Sequence, residues 1–292
     1  MVVQYGINFQ IGCAVWAYKE WVGNLFPAGS RAADFLRLYS RRFTTVEGNT
    51  TFYSVPDAAT TSRWADETPS GFKFCLKLPR DVTHQGLLMP QIEAAIAFIN
   101  QMQGLGDRLG PLIIQLPPSY SPSQMDDLTS FLEALQPTQA ALALEVRHLA
   151  WFRADIAPKL TALLQQRGVG RVMLDTRPIY DCPDDPQIYS ERRKPRVPLT
   201  TIPTADFTLV RYISHPTLEL NDSFMHEWVA QLDLWLRAGQ QIYFFVHCPT
   251  EAKSPVNARY MQHLLEQHGV PVPELPWNAI ADESPPNQLS LF

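Results

Sequence analysis

The sequence predicts one α/β domain, a TIM-type (β/α)8 barrel with a long loop after its sixth strand and a flexible C-terminal tail. Three observations lead there. Short apolar runs alternate with amphipathic stretches, and the apolar runs number about eight. The chain has 292 residues, a normal length for one such barrel, and 46% hydrophobic residues can fill a large core. No sharp break in composition occurs before residue 270, so 1–270 read as the barrel and 271–292 as a proline-containing tail.

The strand-like runs are 9–15, 44–50, 72–78, 112–116, 141–146, 171–175, 208–213 and 242–247. Between them, helical spacing of apolar residues marks 32–41, 92–103, 124–135, 156–166, 223–237 and 257–268. For the second unit the stretch 58–65 is short and threonine-rich. The proline-rich segment 178–203 follows the sixth strand and is expected to lie over the barrel mouth.

Composition limits the function classes. The formal net charge of −5 argues against a general nucleic-acid coat, which needs a basic field. No apolar run reaches the roughly 18 residues of a membrane span, and the N-terminus lacks the basic start and apolar stretch of a secretory signal. The expectation is a cytoplasmic protein without a membrane partner. Cys13, Cys75, Cys182 and Cys248 show no CxxC pairing, so they read as reduced thiols rather than a zinc site or disulfide framework.

In such a barrel the reactive groups stand at the C-terminal ends of the strands. Here those ends carry Glu47, Lys77, Gln115, Glu145, Arg147, Asp175, Arg211 and His247. Glu47, Glu145 and Asp175 are the candidate general acids and bases, one held ionised by a neighbouring cation while another is raised by burial. Lys77, Arg147 and Arg211 can hold a phosphate or carboxylate, arginine by its fork and lysine as a point charge. The other reading is that these cations only neutralise the carboxylates. Aromatic residues crowd the same ends; Trp16 and Tyr53 are candidate platforms for a base or sugar ring, although most aromatics at such positions are packing. Glycine-rich dinucleotide or ATP loops are absent.

A series of local motifs is also informative: Val46-Glu47-Gly48-Asn49-Thr50-Thr51-Phe52-Tyr53, then Trp64, Thr68-Pro69, Phe72-Lys73-Phe74, Lys77 and Thr83-His84. Further along stand Glu145-Val146-Arg147-His148 with Trp151-Phe152, Arg211, and Ser254-Pro255-Val256-Asn257-Ala258. Together these resemble the YecE-like family, domain of unknown function 72. The resemblance spans most of the chain and implies a (β/α)8 barrel with no established reaction. It also implies an Asn-Asn pair after strand eight, where this chain has His247-Cys248. Asn49, His84, His148 and Asn257, from these motifs, complete the expected substrate-binding set.

The cofactor is left unknown. Glu145, Asp175, His84, His148, His215 and His247 offer oxygen and imidazole ligands to a divalent ion, but no HxH or HExxH pairing fixes two of them, and three cations compete for the same centre. A divalent metal is therefore not favoured.

The last five residues, Gln288-Leu289-Ser290-Leu291-Phe292, follow Pro285-Pro286 and resemble the pentapeptide by which bacterial replication and repair proteins bind the DNA sliding clamp. Gln288, Leu289, Leu291 and Phe292 are the candidate partner-binding residues; the alternative is that the tail covers an apolar patch on its own domain. Three functional classes follow. They are an acid/base enzyme acting on a phosphate-containing, nucleic-acid-derived substrate and recruited to the clamp, a hydrolase, lyase or isomerase of a sugar or sugar phosphate, and a non-catalytic clamp-associated module.

Overall fold

The alternation of apolar runs with amphipathic stretches produces the expected order of elements. A computed structural model describes residues 8–190 and 193–277. The strands are β1 Phe9–Cys13, β2 Thr45–Gly48, β3 Lys73–Leu76, β4 Leu112–Gln115, β5 Leu142–Glu145, β6 Gly170–Asp175, β7 Phe207–Ile213 and β8 Gln241–His247. The helices are α1 Phe35–Tyr39, α2 Ala58–Glu67, α3 Arg80–Thr83, α4 Ile92–Met102, α5 Met125–Leu135, α6 Ala157–Arg167, α7 Arg177–Tyr180, α8 Asp222–Arg237 and α9 Ser254–Gln267. Local chemistry sets several ends. Asp57 caps α2 by accepting from Thr60 N at 2.8 Å. Gly168 ends α6 at φ 63°, a conformation that a Cβ would strain. Among the described residues no helix is long and apolar enough to cross a membrane. The candidate docking residues Gln288, Leu289, Leu291 and Phe292 lie outside the described residues.

All paired strands are parallel, but the ladder is not one continuous ring. A six-stranded sheet runs β1-β8-β7-β6-β5-β4, and β2 pairs with β3 in a second sheet. This is an α/β fold with parallel sheets in two arcs, a coarser result than the closed barrel expected. The junctions have a physical cause. Between β1 and β2, the Tyr39 hydroxyl accepts from Cys13 N at 2.6 Å and donates to Thr45 O at 3.0 Å, taking the place of a ladder bond. Gly12 makes room for this: a Cβ there would lie 1.8 Å from Thr45 O and 2.7 Å from the Tyr39 hydroxyl. Between β3 and β4, single backbone bonds do the joining, from Gly110 N to Phe74 O at 2.9 Å and from Leu78 N to Ile113 O at 3.0 Å.

Period-two alternation sorts the side chains of each strand onto two faces. One face packs into the large core shared with the helices, as with Ile11, Val46, Phe74, Ile114, Val210 and Phe244. The other carries a separate apolar layer that includes Cys75, Ile113, Ala143, Val172, Leu209 and Phe245. Two residues further along most of these strands stand Lys77, Gln115, Glu145, Arg211 and His247. Glu47 shares their face through its register with Cys75.

The sixth connection departs from a regular βα unit. After α7 the described residues up to β7 form no further helix or strand. Within this excursion Tyr189 is 96% exposed. Gln187, by contrast, is buried and its Oε1 accepts from Lys194 N at 2.7 Å, which brings Lys194 back toward the strand ends.

Candidate functional site

Seven of the expected site residues meet in one hydrogen-bonded network at the C-terminal ends of the strands. Arg211 forks onto Glu47, with Nε 2.6 Å from Oε2 and Nη2 3.0 Å from Oε1, while its Nη1 donates to Glu145 Oε2. Lys77 Nζ lies 2.9 Å from Glu47 Oε1 and donates to Gln115 Oε1 at 2.9 Å. Arg147 joins the same group, donating from Nε to Glu145 Oε1 at 2.6 Å and from Nη2 to Gln115 Oε1 at 2.7 Å. His247 Nε2 sits 2.9 Å from Glu47 Oε2, which makes it the seventh member. Of these residues only Arg147 keeps appreciable solvent exposure, its side chain at 20%.

Burial would raise the carboxyl of Glu47, but Arg211, Lys77 and His247 hold it well below the usual carboxylate range. Glu145 is brought down to about 2 in the same way, against its burial, by Arg147, Arg211 and Lys77. Both are therefore fixed anions at neutral pH. Burial pushes His247 down to about 3, so its imidazole is neutral and Nε2 carries the hydrogen donated to Glu47. Lys77 falls to about 8 through burial and the charge of Arg211. An anion that cannot be protonated near pH 7 is a poor general acid. Their charge is thus held by the network, which sets Glu47 and Glu145 apart from a carboxyl raised by burial.

Asp175 stands apart from the network. It follows Leu174 by one residue, so pleating turns it to the helix face, where it is fully buried. There it accepts from Trp228 Nε1 at 2.8 Å and from Arg177 N and Nε, both at 3.0 Å. No hydrogen bond or ion pair joins it to Glu47 or Glu145 among the described residues.

The remaining candidates divide. His84 is half-buried, with its ring 5.0 Å from that of Phe52, and is pushed down to about 4 by burial and then by Arg147, Arg80 and Lys77, which places it beside the network. Asn49 Nδ2 donates to Ala14 O at 2.8 Å, and Asn257 Nδ2 donates to Ser214 Oγ at 2.7 Å and His215 O at 3.1 Å; both tie segments together. Trp16 packs edge-on to Trp64 at 5.1 Å. Tyr53 is 68% exposed. His148 Nδ1 accepts from Ala150 N at 3.1 Å, ordering the turn after β5. Cys248, next to His247, is buried and its thiol is pushed up to about 11, mainly by burial.

Two groups at this site are not strand residues. Lys194 comes from the excursion after α7, and its ammonium is close enough to Arg211, Glu47, Glu251 and Arg147 to feel their charges. Its side chain has no hydrogen-bond or ion-pair partner among the described residues. Glu251 lies in the turn after β8, and its Oε1 is enclosed without a hydrogen-bond partner. Burial pushes its carboxyl up to about 7, the nearby Ser254 hydroxyl and Lys194 pulling the other way. Neither residue falls in an apolar run or in the quoted motifs, and only the expectation that 178–203 covers the mouth bears on Lys194.

One set of donors among the described residues comes close enough together to bear on a metal. That set is Cys182, Asp184 and His215. His215 Nδ1 accepts from Thr217 N at 2.9 Å, so Nε2 carries the hydrogen that meets Asp184 Oδ1 at 3.0 Å. A metal would need that Nε2 lone pair, and the hydrogen bonding holds the other tautomer. A cavity of about 1010 Å³ lies elsewhere, beside α9 and the segment that ends at Trp277, and none of the network residues lines it.

Residues 10–280 match the family model described as "Protein of unknown function DUF72". The chain is 33% identical over 248 residues to the UPF0759 protein YecE of Escherichia coli strain K12, covering 84% of this chain and 88% of that one. Two crystal structures are similar in fold. A DUF72 family protein from Enterococcus faecalis superposes with a TM-score of 0.68 at 16% identity, over 90% of this chain and 99% of that one. One from Thermotoga maritima gives 0.65 at 21% identity, over 88% and 98%.

Proposed function

Because the chain belongs to the DUF72 family, whose description assigns no reaction, its chemistry is read from its own residues, and we propose that the strand-end network is an anion-binding active site. The substrate class is a small phosphate-bearing molecule, and the reaction is acid/base chemistry next to the bound phosphate. One observation carries this reading: among the described residues, Lys77, Arg147, Arg211 and Lys194 face two fixed carboxylates, Glu47 and Glu145. A lattice that served neutralisation alone would have no use for the surplus, since buried cations without partners are costly. An incoming oxyanion balances them, with Arg147 and Lys194 as the accessible donors. The reading includes closure of the two strand arcs into a barrel whose mouth is this site.

Isothermal titration with inorganic phosphate, sugar phosphates and nucleoside monophosphates at low salt tests the proposal. Wild-type protein should bind at least one of them, and Arg147→Ala should weaken that binding at least tenfold. No binding of any phosphate compound at millimolar concentration overturns it.

The tail supports a second, compatible reading. The sequence Gln288-Leu289-Ser290-Leu291-Phe292 behind Pro285-Pro286 would tether this enzyme to the sliding clamp and so favour a nucleic-acid-derived substrate. A peptide of residues 282–292 should bind purified clamp in fluorescence anisotropy and lose that binding on combined Leu291→Ala and Phe292→Ala. Equal binding of the two peptides removes the tether.

A further inference from the structure

We propose that Glu251, with Lys194 beside it, is the proton-exchanging group of the mouth, receiving an oxyanion as the neutral acid and passing its proton to an oxygen of that ligand. The inference rests on the anion-binding reading and adds to it the group that moves the proton. It starts from saturation. Glu47 accepts from Arg211 twice and is paired with Lys77 and His247, and Glu145 accepts from Arg211 and Arg147. Neither has an idle oxygen. Glu251 does: among the described residues its Oε1 is enclosed and makes no hydrogen bond, the nearby Ser254 hydroxyl likewise standing without a partner. A buried polar atom without a partner costs free energy unless something else bonds it, and a ligand oxygen is one such partner.

The surroundings fit an acid that is neutral at rest. The titratable and charged groups that bear on Glu251 are Cys13 on β1, Tyr18 before α1, Tyr39 on α1, Glu47 on β2, Lys194 on the excursion and Cys248 after β8. Tyr39 and Cys13 both have raised pKa values, mainly through burial, and carry no charge at neutral pH. Glu47 opposes ionisation of Glu251 and Lys194 favours it. The backbone here is anchored, since Glu251 O accepts from Trp21 Nε1 at 3.2 Å. When the proton leaves, the bond broken is the O–H of Glu251 and the bond formed is O–H on the ligand. The Glu251 carboxylate left behind is stabilised by the Lys194 ammonium. The substrate class that suits this pair is an oxyanion with a basic oxygen beside it, such as a phosphate ester at its bridging oxygen.

Inorganic sulfate is the probe, because it does not itself titrate between pH 5 and 9. Wild-type protein should bind sulfate with an affinity that is constant at low pH and falls above pH 7 by as much as about tenfold per pH unit. Glu251→Gln should show no fall until Lys77 begins to lose its proton near pH 8. Carbon-13 spectra of glutamate-labelled protein should show a carboxyl titrating near pH 7 that is missing in Glu251→Gln and shifted upward in Lys194→Met. Sulfate binding that does not depend on pH, or the same dependence in Glu251→Gln, removes the Glu251 assignment alone. So does the absence of a Glu251 titration above pH 6. No sulfate binding at any pH overturns the anion-binding reading and the role of Glu251 with it.

Discussion

Arg211 on β7 is held between Glu47 on β2 and Glu145 on β5, forking onto the first and donating to the second. Three strands distant in sequence thus share one guanidinium. Lysine cannot reproduce this geometry, because an ammonium lacks the planar fork that meets both oxygens of Glu47 while a third N–H reaches Glu145. Arg211→Lys should therefore leave one buried carboxylate short of its partner and destabilise the fold by about 3–5 kcal/mol in chemical denaturation. Arg211→Met combined with Glu145→Gln should cost less than the sum of the single changes. A loss under about 1 kcal/mol for Arg211→Lys would show that the network does not bind the strands together.

The same carboxylates set the acid limit. Glu145 is brought down to about 2 in the folded state from an ordinary value near 4.5. Its contribution to stability is fully present above pH 4.5 and is lost as pH falls toward 2. Glu47 acts in the same direction. Thermal denaturation from pH 6 to pH 2.5 should show a decline concentrated below pH 4.5, on the order of a few kcal/mol. In Glu145→Gln that decline should be visibly shallower.

The β1–β2 junction offers a separate test. Tyr39→Phe removes the hydroxyl that serves Cys13 N and Thr45 O, leaving two buried backbone groups unpaired. The expected loss is about 2–4 kcal/mol by urea denaturation. Gly12→Ala drives a Cβ into Thr45 O and should be at least as damaging. If Tyr39→Phe unfolds with the wild-type midpoint, the hydroxyl is not a structural bond.

Much of this architecture was legible because strand pleating is a strict rule. The positions of Lys77, Gln115, Glu145, Arg211 and His247 at strand ends followed from the apolar runs, and their common face follows from counting in twos. Asp175 was grouped with them by position alone; the step from Leu174 to Asp175 already turns it to the other face. The acid/base roles were harder to read, because pairing that depresses a carboxyl and burial that raises one look alike in a sequence. Tyr39 was invisible as a strand connector because it lies on a helix. Lys194 and Glu251 come from a turn and an irregular excursion, where no periodicity says which way a side chain faces.

Glu251 has the opposite pH behaviour to Glu145. Its carboxyl is raised to about 7, so the folded state holds its proton where the unfolded chain has lost it. The cost of ionising it grows from about pH 4.5 to pH 7 and is constant above. Glu251→Gln should therefore gain stability relative to wild type between pH 4 and pH 8, by on the order of 3 kcal/mol in urea denaturation. An identical difference at the two pH values would mean that Glu251 is ionised in the folded protein.

The depressed imidazoles of His84 and His247 have a wider consequence. Between about pH 5 and pH 7 neither takes up a proton, the carboxylates of Glu47 and Glu145 stay charged, and the arginines do not titrate. Glu251 apart, these strand ends thus present a constant potential to whatever approaches them across the range in which most histidine-lined sites would drift. Such a site works like a fixed electrode with one adjustable contact, so between pH 5 and pH 7 any change in its attraction for a fully ionised ligand traces to the proton of Glu251.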